Sequence, residues 1–315
     1  KEEILFWKFC QYKFYEQWKF LKQYANTRGI QIIGDIPLYM AMDSADVWAD
    51  RKLFLLEEDG SQQHVAGSPP DNFSEEGQKW GNPVYDYSYM EEHQFDWWRH
   101  RIEKNAALYD VIRIDHFLGV VRYYTIPFQE KDCCNGKWNK GPGKKLTDVM
   151  EESAGDCRII ADNAGSAIAG SRKLLARIGW PGSKILMFAF DGNTGNENLP
   201  HNFEENNIVV YTGTHDNDTV VGYFRDKTEY ELAYLYEYLN IGSKEEIPDA
   251  LIRLAYSSIA DVVIIPMQDI LQLGNEARMN QPSTVGQNWK WRVGKDTLSE
   301  ERRAWIRTIA AVYRR

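Results

Sequence analysis

Six short apolar runs in this chain are each followed closely by an aspartate: Asp35, Asp115, Asp162, Asp191, Asp216 and Asp269. Taken singly, each aspartate is a helix or turn cap. Six in register point to a site, because carboxyl groups gathered in one place can act as nucleophile and as general acid or base. The sharpest arrangement is Arg113-Ile-Asp115. Residues two apart on a strand face the same side, so Arg113 is expected to pair with Asp115 and hold it ionised. That is the state a glycosidase nucleophile requires, and a purely structural ion pair is the equal alternative. The next apolar run ends Ile159-Ile-Ala-Asp162, which offers Asp162 as the second carboxyl that retaining glycoside chemistry needs about 5–5.5 Å away. Thr212-Gly-Thr-His-Asp-Asn-Asp-Thr219 places His215 and Asp216 at the end of another run. A neutral imidazole and a carboxylate can grip neighbouring sugar hydroxyls, although this stretch read alone is better explained as an Asx-rich turn.

The elements that must position these groups alternate. Residues 2–28 read as one long helix, with Trp7, Phe14, Trp18, Leu21 and Ala25 at helical spacing and Gly29 as its terminator. Apolar runs follow at 30–36, 109–114, 158–161, 184–190, 208–211 and 262–267, with helical patterns between most of them, among them 90–107, 166–178 and 229–239. Alternating strands and helices predict a parallel sheet, and nearly continuous apolar strands predict one buried on both faces. Long connections near 43–90 and 117–150 are expected to be functional loops. The chain reads as one domain over 1–315, an α/β fold of the (β/α)8 TIM-barrel type with about six of eight strands. The C-terminal ends of barrel strands are where catalytic residues sit. Because the chain opens inside a helix without Met, strands one and two are expected to precede it, and their absence would leave unpaired sheet edges.

Composition narrows the chemistry. The 315 residues carry a net charge of −9, which repels phosphate backbones and argues against a nucleic-acid partner. No apolar run approaches the roughly 20 residues of a membrane span, and no signal peptide opens the chain. Cys10, Cys133, Cys134 and Cys157 have no zinc or disulfide spacing and read as reduced thiols of a cytoplasmic protein. The histidines show no metal-ligand spacing, and neither a P-loop, a dinucleotide fingerprint nor a serine elbow is present. The 11 Trp and 18 Tyr exceed what a core usually needs and suit stacking on sugar faces.

An ordered set of motifs resembles the amylomaltases, the 4-α-glucanotransferases of the α-amylase clan. It comprises Gly34-Asp-Ile-Pro-Leu-Tyr39, Asp43-Ser-Ala-Asp-Val-Trp48, Trp80-Gly-Asn-Pro83, Arg113-Ile-Asp-His-Phe117, Phe188-Ala-Phe-Asp191, the 212–219 stretch, Glu276-Ala-Arg-Met-Asn280 and Asn288-Trp-Lys-Trp-Arg292. The resemblance implies Asp115 as nucleophile, Asp162 as acid/base and Asp216 as transition-state stabiliser. It implies substrate-binding or ordering roles for Asp35, Trp80, Arg113, His116, Phe188, His215 and Asn280, with α-1,4-glucans as substrate and neither metal nor organic cofactor. Transfer to an acceptor would be favoured by the loop around Trp80, Tyr85 and Tyr87.

One stretch departs from the family. Its acid/base motif reads Ile-Ala-Glu-Asp-Leu-Gly, whereas this chain has Ile160-Ala-Asp-Asn-Ala-Gly165, and Leu118 replaces the usual Arg. Asp162 is one methylene short of Glu, a deficit of about 1 Å in reach that can cost on the order of 100-fold in proton transfer. Two other readings therefore stand beside the transferase: a glucan-binding pseudoenzyme and an α-glucan hydrolase.

Overall fold

The computed structural model describes all residues except 71–73, 75, 164–168 and 283. Six parallel strands occur where the apolar runs were expected, in two three-stranded sheets. In the first, Ile33–Ile36 pairs with Val111–Ile114, which pairs with Arg158–Ala161. In the second, Gly182–Ile185 pairs with Ile208–Tyr211, which pairs with Val262–Ile264. The sheets meet at one seam, where the Ala161 N–H donates to the Pro181 carbonyl at 3.0 Å and the Ser183 hydroxyl donates to the Ala161 carbonyl at 3.1 Å. Among the described residues the strands do not close into a barrel, and the two outermost, Ile33–Ile36 and Val262–Ile264, each pair on one side only.

Strand alternation sorts the side chains. Ile112, Ile114, Ile159 and Ala161 join one apolar cluster, built against the helices Asp96–Leu108, Lys144–Ala154 and Ala169–Ile178. Val111 and Ile160, one residue out of phase, join a second cluster with Ile185, Val209 and Tyr211 of the other sheet. Arg113 shares the parity of Val111 and so points to this inner side. The register sets Asp35 directly beside Arg113, and the next residues beyond the strands are Asp115 and Asp162.

Several expectations are corrected. The 90–107 helix is two helices, Tyr87–Glu92 and Asp96–Leu108, broken where Gln94 and Phe95 take left-handed backbone. The 184–190 run is strand only to Ile185, and Leu186–Phe188 is a 3-10 turn. The start of the 166–178 helix lies outside the described residues. The two long connections are not mere loops. They build a four-stranded antiparallel sheet from His64–Ser68, Gln78–Pro83, Arg122–Pro127 and Lys137–Lys140. Tyr85 belongs to the core, fully buried with its hydroxyl donating to the Leu38 carbonyl at 2.7 Å, and is not an acceptor-loop residue. The opening helix, Glu2–Asn26, buries none of its residues. It is held near its end, where the Trp18 indole donates to the Leu108 carbonyl and Lys22 and Asn26 reach Asp110. No helix is long and apolar enough to cross a membrane.

Gly34 is a tight point behind the site. A Cβ there would lie 2.1 Å from the Tyr109 ring, which in turn packs edge-on against Trp18. Asp35, on the opposite face of the same strand, depends on that approach. Gly34→Ala is expected to lower stability by about 1–3 kcal/mol, the usual cost of overpacking. Urea unfolding would check this, and an unchanged midpoint would mean that Tyr109 moves aside freely.

Candidate active site

Arg113 is the hub. Its side chain is only 8% exposed and contacts three carboxylates: Asp35 at 2.5 Å, Asp162 at 2.8 Å and Asp115 at 3.4 Å. Burial opposes the guanidinium charge, but Asp162, Asp35 and Asp115 together outweigh it and bind its proton more firmly than usual. Asp115 gets the weakest of the three contacts. Burial and the Asp162 carboxylate push the Asp115 carboxyl above the usual carboxylate range, with Arg113 acting against them. Arg113 does pair with Asp115, as expected, but one guanidinium is divided among three acids and its shorter bonds go elsewhere, so it favours the ionised form less strongly than a dedicated pair would.

A second chain of contacts brings in the other strand ends. His215 Nε2 lies 3.8 Å from Asp35 and 3.5 Å from Asp216. The Asn280 amide donates to Asp216 at 2.6 Å, and its own backbone N–H donates to the His215 carbonyl. Asp35, Asp115, Asp162 and Asp216 thus join one network through Arg113 and His215. The remaining two strand-end aspartates do what a single aspartate was expected to do. Asp269 is buried and accepts from the Thr212 hydroxyl at 2.6 Å and the Val220 N–H at 2.8 Å. Asp191 caps a turn by accepting from the Asn193 N–H.

These groups face a cavity of about 640 Å³ lined by Asp115, Asp162, Asp216, His116, His215 and Asn280, with Trp80 on its wall. That volume lies in the range of small-molecule sites. His116 has left-handed backbone (φ 52°) and sits edge-on to Trp80 at 4.7 Å. Burial lowers its pKa to about 4, so the ring is neutral at pH 7. Its Nε2 is buried without a hydrogen-bond partner, available to a ligand hydroxyl. Phe188 is placed elsewhere, on the wall of a separate cavity. Of the departing positions, Leu118 and Asn163 line the main cavity, and the Asn163 side chain accepts from the Ser183 N–H at 2.7 Å, tying the two sheets together. Ala164 lies outside the described residues. Among the described residues no cluster of acidic, histidine or cysteine side chains is arranged to hold a metal.

Cavity residues that sequence reasoning missed include Gln78, Trp138 and Trp289. Gln78 accepts from the Trp80 indole at 3.0 Å, and Trp289 lies 5.3 Å from the His215 ring. Trp289 stands inside a quoted motif, so its signal was present. Trp138 lies on an inserted strand, where only its type hinted at a role.

The 4-alpha-glucanotransferase family profile matches residues 1–297. A 4-alpha-glucanotransferase of Clostridium butyricum is 47% identical over all of this chain and 65% of its own length. One from Thermus thermophilus is 43% identical over 98% of this chain and 63% of its own. An amylomaltase from Streptococcus agalactiae, solved in complex with acarbose, superposes with a TM-score of 0.91 at 42% identity and covers 97% of this chain and 62% of that one. The chain thus spans somewhat less than two thirds of these relatives, and its mixed α/β fold is of the TIM-barrel glycosidase type.

The His116 pKa has a consequence for stability. Its folded value, about 4, lies below the ordinary 6.5, so the unfolded chain binds more protons between those values. This contribution to stability is complete above about pH 6.5 and is lost as pH falls toward 4, by on the order of 3 kcal/mol. His116→Gln should flatten that part of the pH–stability curve, as read from urea midpoints at pH 7 and 4.5. A parallel fall in variant and wild type would show that His116 is not responsible.

Proposed function

The chain belongs to the 4-alpha-glucanotransferase family, and from that premise we propose that the protein transfers α-1,4-glucan segments between sugars by a retaining double displacement. The observation that carries this reading is the shared guanidinium: Asp115 and Asp162 both reach Arg113, while His215 links Asp216 to the same network. Two carboxyls on one guanidinium suit the close spacing that retaining chemistry uses. The two three-stranded sheets are read as an arc of a (β/α)8 barrel, with the site at the C-terminal ends of its strands.

In the first step the Asp115 carboxylate attacks the anomeric carbon. The glycosidic C–O bond breaks, and the leaving oxygen takes a proton from Asp162. In the second, an acceptor 4-hydroxyl returns a proton to Asp162 as its oxygen displaces the Asp115 ester. The reactive form carries the proton on Asp162 rather than Asp115, so the upward push on Asp115 predicts an acidic limb of the rate profile above the usual carboxylate range. Asp216, gripped by Asn280, faces the same cavity and is assigned the stabilisation of the oxocarbenium-like transition state. Asp35 orders Arg113; His116, His215, Asn280 and Trp80 bind the sugar. Phe188 is assigned to an outer part of the substrate path.

The pseudoenzyme reading is favoured by one observation. Asp162 is short and is drawn to Arg113 and to the His116 N–H, at 2.8 and 3.4 Å. Incubation with maltotriose decides among the readings: a ladder of longer maltodextrins means transfer, reducing ends without longer chains mean hydrolysis, and neither means binding alone. Asp115→Asn should abolish turnover. Asp162→Glu should raise transfer by about 10–100-fold by restoring reach. An α-glucosyl fluoride needs little protonation, so the wild type should be less impaired on it than on maltotriose. If Asp162→Glu leaves both rates unchanged, reach is not the defect.

A further inference from the structure

Arg122 lines the main cavity together with Leu118 and Trp138. Unlike Arg113, it is paired with no carboxylate among the described residues. Its guanidinium lies 4.1 Å from the centre of the Trp138 ring, and its Nε is buried without a hydrogen-bond partner. An aromatic face beneath a guanidinium fixes its plane and leaves the N–H groups of its edge free to meet an acceptor.

Stability does not explain this placement. Arg122 stands directly opposite Lys140 where the strand Arg122–Pro127 runs antiparallel to Lys137–Lys140. Opposed residues share a face of the sheet, and like charges there destabilise the pair. Trp138, two residues before Lys140, lies on the same face, as the stacking requires. A desolvated N–H beside a second cation weighs against the fold until a bound group supplies an acceptor. The position also meets a departure in the sequence. Leu118 stands where the resembled family usually has Arg, and Arg122 follows one turn later, with its backbone N–H donating to the Leu118 carbonyl. Asp115, Asp162 and Asp216 line the same cavity and repel an anion, so the acceptor that suits Arg122 is a hydroxyl of a neutral sugar. We infer that Arg122 is a further substrate-binding residue, donating to a hydroxyl of the bound glucan and taking over from the arginine missing at 118, an inference that rests on the function proposed above.

The test uses the full-length protein with maltotriose. Arg122→Leu should raise KM about tenfold, the loss of one charge-assisted hydrogen bond, and leave kcat within about threefold. Arg122→Gln, which keeps most of the stem, should behave alike. Adding Leu118→Arg to Arg122→Leu should recover most of the lost affinity. The urea midpoint of Arg122→Leu should be unchanged or raised, because Lys140 no longer faces a like charge. An unchanged KM overturns the inference, and a lowered midpoint with unchanged KM assigns Arg122 to packing on Trp138 alone. Inorganic phosphate that competes with maltotriose in the wild type but not in Arg122→Leu marks an anion site and overturns it too. If the wild type binds maltotriose without turning it over, the transferase reading fails and calorimetry decides separately: about tenfold weaker binding by Arg122→Leu sustains the inference, and equal affinities overturn it. A wild type that binds no maltotriose overturns both.

Discussion

A guanidinium taken out of water costs several kcal/mol unless its hydrogen-bonding directions are filled, and Arg113 is almost wholly enclosed. It is tolerable only because three carboxylates surround it. The dependence runs both ways, since none of those carboxylates could share so small a space without the cation between them. Much of the architecture serves this one group. The parallel register puts Asp35 alongside it, and the two neighbouring strands end so that Asp115 and Asp162 close over it. The seam with the second sheet then brings His215 and Asp216 within reach of the same network.

In the mechanism we propose, the uneven division of that charge shapes the chemistry. Asp35 and Asp162 take the short contacts, and Asp115 takes the long one. A nucleophile bound less tightly by its cation retains more of its electron density for attack, at the cost of a harder ionisation. A proton donor held close by a cation is steadied but drawn inward. With Glu at 162 one more methylene would offset that pull. With Asp, the position of the carboxyl is set by Arg113 and the His116 N–H together.

Strand ends and their aspartates were readable from the sequence because parallel strands buried on both faces are apolar almost without interruption, which makes their ends conspicuous. The pairing of Arg113 with Asp115 followed from two-residue alternation alone. What could not be read was competition. Nothing in Arg113-Ile-Asp115 says that Asp35, distant in sequence, takes the shorter bond. Nor does local pattern distinguish Asp216, which meets a cavity, from Asp269, which caps Thr212 and Val220. The antiparallel sheet was hidden because His64–Ser68 and Lys137–Lys140 lack the β-branched runs by which strands are recognised. The break at Gln94 and Phe95 was hidden because neither residue usually adopts left-handed backbone.

The opening helix is fastened almost entirely by contacts about 90 residues further along, through Trp18 to Leu108 and Lys22 to Tyr109. A ribosome adding about 5–20 residues each second would release Glu2–Asn26 roughly 5–20 s before that anchor emerges. Throughout that interval Trp18 and Lys22 lack the partners that hold the helix in the folded chain. The docking of this helix therefore waits on the synthesis of residues 108–110.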